Sequence, residues 1–214
     1  MTDDAVVKVV TLSCPDCGAA LDGLGTDVLF GCSTCGRALD PLRPDQPATP
    51  IVYARAQEPV PRLPIVRLPF WVIDVEARAV DSNGNPVVLD GWLEQIWVSA
   101  FWTRATMRYG DPAQLLTQRQ AFLEPGGERG RLAGIARRPE HASAIARYFQ
   151  LAQLDKHQDL GENVVDPLLS AAQLVAVPFA LEGGSMTDLL LGNTVSTRIV
   201  QDLSQLQSPV DSPA

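Results

Sequence analysis

The sequence predicts an α+β fold, in which a small N-terminal β ribbon is linked to a mainly antiparallel sheet domain with inserted helices. All four cysteines of the 214-residue chain fall within 22 residues near its start. Apolar and polar residues alternate from residue 71, and two segments with helical spacing separate that strand from a later run of strands. The length suits one ordinary core plus a small module.

The spacing of the cysteines predicts a metal site. Cys14 and Cys17 form one Cys-x2-Cys pair, Cys32 and Cys35 form another, and 14 residues separate the pairs. The chain starts with Met-Thr-Asp-Asp, whereas a secretory signal starts with basic residues, so we expect a reducing, cytoplasmic location. Four thiolates give Zn²⁺ a closed tetrahedral shell with no position for a substrate. The sequence therefore predicts one structural Zn²⁺ ion.

Three other uses of the cysteines are weaker alternatives. Two disulfides conflict with the expected compartment. A redox-active Cys-x2-Cys motif does not account for two such motifs arranged as a repeat. Iron would fit similar turns, as in a rubredoxin-like site, but the gap between the pairs is short for that site and few aromatic residues surround it.

The two cysteine pairs belong to an internal repeat. Residues 14–22 and 32–40 share Cys, Cys, Gly, Ala, Leu and Asp in register at an offset of 18. Each half is typical of a zinc knuckle, a tight turn that presents two sulfur atoms to the metal. Gly18 and Gly36 follow the knuckles' second thiolates, where a positive φ suits glycine and lets backbone N–H groups point at sulfur. Predicted strands complete the ribbon at 6–12, 27–31 and 37–42.

Residues 6–42 resemble the zinc-ribbon (rubredoxin-like) family, on the basis of Cys-Pro-Asp-Cys-Gly and Cys-Ser-Thr-Cys-Gly. The resemblance covers less than a fifth of the chain and implies a bound zinc ion. It implies no single function, because related ribbons bind DNA, RNA or proteins, or brace a neighbouring domain. With Leu68-Pro69-Phe70-Trp71, the layout is similar to uncharacterised bacterial proteins that join a zinc ribbon to a β-rich domain.

Composition predicts the domain boundaries. The zinc ribbon spans 1–42, a proline-rich linker spans 43–64, the α+β domain spans 65–207 and a disordered tail spans 208–214. Four prolines among residues 40–50 indicate an extended, semi-rigid linker.

The α+β domain opens with its clearest strand, at 71–79, where apolar and charged residues alternate as in a half-buried strand. Asn83-Gly84 is the predicted tip of a hairpin, and an apolar run at 96–102 continues the sheet. Either a core or a recognition face would use the four tryptophans of this region, which are Trp71, Trp92, Trp97 and Trp102.

Two helices and a β meander are predicted next. Asp111 is a good N-cap for a helix that starts at Pro112 and whose apolar face reaches Leu123. A second helix starts at Pro139, and the strand at 174–181 leads into the meander. Prolines 69 and 178 indicate sheet borders, because proline within a strand is confined to edges and bulges.

Charge makes nucleic acid the less favoured partner. The net charge is −8, with 7 acidic against 3 basic residues in 1–50 and 18 against 14 in 51–214. Six arginines, several of them near aromatic residues, could still clamp phosphates. They are Arg104, Arg108, Arg129, Arg131, Arg137 and Arg138. Whether the loop from Arg129 to Arg138 binds anything stays open. No apolar run reaches the 18 or so residues of a membrane span.

The residues give no catalytic constellation, so we expect no enzyme. The cysteines are committed to metal, and no nucleophile elbow, phosphate-binding loop or dinucleotide motif is present in the sequence. The two histidines, His141 and His157, fall in a polar helical stretch. Acidic residues that are interpreted as solvated surface are Asp74, Glu76, Asp155, Asp159, Glu162 and Asp166.

These observations favour a non-catalytic, zinc-binding adaptor or structural subunit that mediates protein–protein interaction in a bacterial multiprotein assembly. The expected partners are proteins, and the sequence makes no prediction of oligomeric state. The alternative is a regulatory zinc-ribbon protein that binds nucleic acid through Arg137 and Arg138.

Overall fold

The computed structural model describes residues 13–21, 26–57, 62–76, 78–104, 106–130, 132–157 and 163–200. The strands are β1 Phe30–Cys32, β2 Arg37–Leu39, β3 Thr49–Tyr53, β4 Ile65–Glu76, β5 Ala79–Val80, β6 Gln95–Ser99, β7 Val164–Val165, β8 Leu168–Leu169, β9 Gln173–Glu182, β10 Ser185–Asp188 and β11 Thr194–Ser196. The helices are α1 Thr106–Tyr109, α2 Pro112–Gln118 and α3 Pro139–His157, and a 3₁₀ turn spans Thr197–Ile199. The predicted α+β class is confirmed. The strand predicted at 6–12 and the tail predicted at 208–214 lie outside the described residues.

Nine of the described strands form one sheet, and β5 and β7 form a separate pair. Strand β9 pairs with β4 along one side and with β3 and β10 along the other. The order continues from β3 to β2 and β1, and from β10 to β11, while β4 also pairs with β6 and β8. Only β3 and β9 are parallel, among these described neighbours. The hairpin of β1 and β2 carries Cys32 and Cys35. It is therefore continuous with the central sheet.

Strand β3 lies within the segment that the sequence assigns to a linker at 43–64. It pairs with β2 through Thr49 and Pro50, and with β9 through Ile51, Val52 and Tyr53. The β-branched and aromatic residues have high strand propensity, and two of them are buried in the core. Proline does not prevent the strand because Pro50 is only its second residue. Residues 49–53 thus belong to the sheet and not to an extended linker.

The longest strand, β4, is buried on both faces rather than on one as predicted. Leu68 and Phe70 pack in one core cluster, whereas Trp71 and Ile73 pack in a second cluster on the opposite face. Helix α3 contributes to the second cluster, while α2 and the strands β10 and β11 contribute to the first. The expected alternation of buried and exposed residues is seen only from Asp74 onward.

Three of the four tryptophans are core residues. Trp97 is buried in the first core cluster, Trp71 is buried in the second, and Trp92 is partly buried against the second. Trp102 is 48% exposed, so it is the one tryptophan with a large exposed surface.

The two prolines in the long strands are not at sheet borders, which corrects the prediction. Pro69 lies in β4 one residue before the pairing with β6 begins at Phe70. Pro178 lies in β9 where the neighbouring strand changes from β3 to β10. At both positions one neighbouring strand is interrupted, so the missing N–H breaks no continuous ladder.

The helix starts agree with the sequence, but one end does not. The Asp111 side chain accepts a hydrogen bond from the Ala113 N–H of 3.0 Å and caps α2, and α3 starts at Pro139. Helix α2 ends at Gln118, however, because Gln120 adopts a φ of 51° and reverses the chain. Phe122 consequently lies outside the helix and is 70% exposed.

Candidate metal centre

The structure brings the four predicted metal-binding cysteines together. The sulfur atoms of Cys14, Cys17, Cys32 and Cys35 all lie within 4.8 Å of one another. Cys14 Sγ is 3.5 Å from Cys35 Sγ, and Cys17 Sγ is 3.5 Å from Cys32 Sγ. A tetrahedral Zn²⁺ ion with Zn–S bonds of about 2.3 Å separates its sulfur ligands by about 3.8 Å. The four thiols are therefore positioned to hold one metal ion.

The two halves of the site repeat each other in structure as well as in sequence. Gly18 N–H donates to Cys14 O over 2.8 Å, and Gly36 N–H donates to Cys32 O over 2.9 Å. Both glycines have the predicted positive φ, at 73° and 75°. The same offset of 18 relates the flanking backbone pairs, which are Ser13 with Ala20 and Gly31 with Ala38. Each cysteine pair therefore belongs to a tight turn with the same hydrogen-bonding pattern.

Backbone N–H groups point at sulfur, as the sequence predicts. Burial raises the pKa of the Cys32 thiol, but N–H groups of Cys35 and Thr34 and neighbouring thiols outweigh it and lower that pKa to about 7. Burial and the neighbouring thiols raise the pKa of Cys35 to about 12. At Cys17, the Ala19 N–H lowers the pKa, but burial and neighbouring thiols raise it more. A metal ion that binds here would have to displace protons from some of the thiols, so its binding would be weaker in acid.

The second knuckle is attached to the rest of the fold. Arg129 Nη1 donates to Thr34 O over 2.7 Å, and the Ile51 N–H donates to Gly36 O over 2.8 Å. A Cβ atom at Gly36 would lie 3.5 Å from Arg129 Nε and from Tyr53 Cε2. The two hydrogen bonds hold the turn that carries Cys32 and Cys35 against the sheet.

The first knuckle has a weaker attachment. Arg37 Nη1 and Asp16 Oδ2 are 2.9 Å apart and join the two knuckles, with 51% and 39% of their side chains exposed. An exposed ion pair of this kind contributes only about 0–1 kcal/mol. Among the described residues, the side-chain contact that holds the first knuckle is therefore weaker than the contacts that hold the second.

A second, more buried ion pair ties the end of β2 to the start of α3. Arg138 Nε lies 2.7 Å from Asp40 Oδ2, and Arg138 Nη2 lies 3.3 Å from Asp40 Oδ1. Only 6% of the Asp40 side chain is exposed, and the Leu42 N–H donates to the same carboxylate over 2.9 Å. The partners are 98 residues apart, so no local pattern in the sequence indicates this pair.

We expect Asp40→Asn to lower Tm by roughly 5 °C at neutral pH, since a charged hydrogen-bonding partner is lost. The hydrogen bonds from Arg138 hold the pKa of Asp40 below its usual value, although burial opposes them. A lowered pKa in the folded state means that the stabilisation is complete above pH of about 4 and is lost as the pH falls through the folded pKa.

Differential scanning calorimetry of the wild-type chain and the variant between pH 3 and 7 checks this prediction. The difference in Tm should shrink below a pH of about 4. Asp45→Asn, in an exposed turn, is the matched control and should change Tm little at any pH. A difference that is absent at neutral pH, or that grows in acid, would contradict the role of this pair.

The arginines that the sequence offers as phosphate contacts are largely engaged within the chain. Arg137 Nη1 donates to Ser99 O and Phe101 O, and its guanidinium lies 5.7 Å from the Trp102 ring centroid. Arg138 binds Asp40, and Arg129 binds the second knuckle. Arg104 and Arg108 also have interaction partners, and Arg131 lies outside the described residues.

Within the described residues, the other titratable candidates form no second cluster. In the described ranges, the cysteines are the one group of three or more such side chains close enough to share an ion. Asp74 and Glu76 are exposed, as interpreted, and so are His141 and Asp155. Asp166 is exposed and forms a 2.7 Å ion pair with Arg147. Asp159, Glu162 and the side chain of His157 lie outside the described residues.

No helix in the described parts of the chain is long and apolar enough to cross a membrane. Comparisons with protein-family models, with curated proteins and with solved structures find no match to this chain.

Proposed function

We propose that this chain is a non-catalytic, zinc-binding adaptor or structural subunit that mediates protein–protein interaction in a bacterial multiprotein assembly. The observation that carries the proposal is the close approach of four thiol sulfurs, all within 4.8 Å. A set of four sulfur ligands in tetrahedral arrangement suits Zn²⁺, and it uses every position of that ion. Such an ion stabilises the fold and has no position for substrate or activated water.

The location of the site supports a bracing role. The hairpin of β1 and β2 continues through β3 into β9, so an ion held there would stabilise one end of the main sheet. A sheet end that is fixed in this way offers a rigid surface to a protein partner, and a rigid surface loses little conformational entropy on binding.

We also propose a cytoplasmic location for the protein. The cytosol keeps thiols reduced, and reduced thiols are what a four-cysteine metal site requires. Nucleic acid is not proposed as the partner, because the chain has a net charge of −8 and Arg138, on which that alternative partly depends, is paired with Asp40 within the chain.

The test is affinity purification of the tagged full chain from its source organism, with metal analysis of the same sample. We expect one Zn²⁺ per chain and one defined protein partner that survives nuclease treatment. The matched pair of variants is Cys32→Ser, which should lose both metal and partner, and Ser33→Ala, which should keep both. Recovery of nucleic acid alone, stoichiometric iron in place of zinc, or turnover of a substrate would contradict the proposal.

A further inference from the structure

A cleft of about 220 Å³ lies between the outer edge of β6, helix α2 and helix α3. Its apolar wall includes Trp97 of β6 together with Ile145 and Phe149 of α3. An apolar cavity of about 150 Å³ is large enough to take benzene. The cleft therefore has room for one apolar side chain of the size of leucine or phenylalanine.

The backbone at the base of this cleft is already hydrogen-bonded. Thr117 Oγ1 accepts a hydrogen bond of 2.9 Å from the backbone N–H of Trp97, and Arg137 Nη1 donates to Ser99 O over 2.5 Å. These side chains of α2 and the loop before α3 cover the outer edge of β6, which would otherwise be a template for another strand. A ligand in the cleft would therefore meet side chains and would not extend the sheet.

Two opposite charges line the cleft without forming an ion pair with each other. Arg137 and Asp111 both belong to its wall, and no ion pair within 4 Å joins these two described residues. Asp111 accepts hydrogen bonds from the Ala113 N–H and from Ser99 Oγ, whereas Arg137 donates to backbone carbonyls. A carboxylate ligand in the cleft would be repelled by the negative charge of Asp111. An ammonium ligand would be repelled by the positive charge of Arg137. A neutral amide, with one donor and one acceptor, complements both groups.

Exposed side chains of the kinds that dominate protein interfaces belong to the cleft wall or lie next to residues of that wall. Ile145 is 42% exposed, and Tyr148, three residues further along the same helix, is 75% exposed. Trp102 is 48% exposed and lies against the Arg137 guanidinium. Tryptophan, tyrosine and arginine are the residues most enriched in interface hot spots.

We propose that this cleft binds a peptide segment of a protein partner, which inserts one apolar side chain against Trp97 and Phe149 and places a main-chain amide between Arg137 and Asp111. The inference rests on the proposed adaptor function and names the surface that this function uses. The cleft is lined by no cysteine and by no residue of either knuckle, so occupancy of the metal site and of the cleft can be measured separately.

The test is a titration of the metal-loaded full chain with N-acetyl-L-leucinamide and N-acetyl-L-phenylalaninamide, followed by NMR. We expect saturable shifts at the Trp97 indole and the Ile145 methyl groups, with a Kd of about 1 mM for ligands of this size. Ile145→Glu should weaken binding at least roughly tenfold by placing a charge at the opening. Val88→Glu, at a position that is 94% exposed and away from the cleft, should leave the Kd unchanged.

A second variant separates binding from folding. Asp111→Asn keeps a good N-cap for α2 but removes the charge, so the fold should persist while binding of both amides weakens. Absence of saturable shifts in the folded chain, or a Kd that Ile145→Glu leaves unchanged, would overturn the inference. Equally tight binding of free L-leucine would also overturn it, in favour of a free amino acid. If the titration fails while a partner is still captured by affinity purification, the cleft is wrong and the adaptor function stands.

Discussion

Replacing Cys14 or Cys32 by serine is expected to abolish stoichiometric metal binding and to unfold the first knuckle. A serine hydroxyl is not deprotonated at neutral pH and is a poor ligand for Zn²⁺, so three thiolates would remain in place of four. Structural zinc contributes about 10–16 kcal/mol in small peptides, which exceeds what a short hairpin can gain from its own burial. No other single change in the described part of the chain should remove as much local stability.

Elemental analysis and Tm of the purified variants check this expectation. The matched control is Asp16→Ser, which lies in the same knuckle and loses only the exposed ion pair with Arg37. It should keep one metal ion per chain and cost about 0–1 kcal/mol. Serine variants that still hold one equivalent of metal would show that the four cysteines are not the ligands.

The two knuckles should respond differently to loss of the metal. Hydrogen bonds from Arg129 to Thr34 O and from Ile51 to Gly36 O hold the second knuckle independently of any ion. We therefore expect hydrogen exchange in the Cys14→Ser variant to lose protection at 13–21 and to keep most of it at 30–39. Equal loss in both segments would mean that the metal, rather than the sheet, positions the second knuckle.

The features that could be predicted from the sequence are those that short-range chemistry determines. The approach of the four cysteines follows from two Cys-x2-Cys turns with a glycine after each, and the start of α2 follows from Asp111 and Pro112. In the same way, Gly84 adopts a φ of 82° within the predicted Asn-Gly turn. Each of these depends on a few adjacent residues, and each is seen in the structure.

The features that the sequence did not reveal depend on residues far apart in the chain. Asp40 meets Arg138 across 98 residues, and β3 becomes a strand because β2 and β9 pair with it on either side. Strand β4 is buried on both faces because helices and strands from later in the chain cover both. Propensity and periodicity do not report such partners, so proline-rich sequence suggested a linker where the fold has a strand.

Asp188 is the second position where a single substitution should have a large effect. Its side chain is 2% exposed and accepts three backbone hydrogen bonds, from the N–H groups of Leu190, Leu191 and Asn193 at 3.0, 2.6 and 2.9 Å. These bonds form the turn between β10 and β11. Asp188→Ala leaves three N–H groups without this acceptor, and we expect it to lower the free energy of unfolding by about 3–5 kcal/mol.

Denaturant titration of Asp188→Ala, Asp188→Asn and the exposed control Asp45→Ala distinguishes this role from a general effect of charge. Asparagine keeps an oxygen for Leu190 and Leu191 but turns an amide NH₂ toward the Asn193 N–H. The free energy of unfolding of Asp188→Asn should therefore lie between those of the wild-type chain and Asp188→Ala. If charge alone mattered, the alanine and asparagine variants would be equally destabilised. A small loss of unfolding free energy in both variants would mean that the turn holds its shape through backbone hydrogen bonds, such as the one from Asp188 N–H to Asn193 O. The buried carboxylate would then not determine the structure at this end of the sheet.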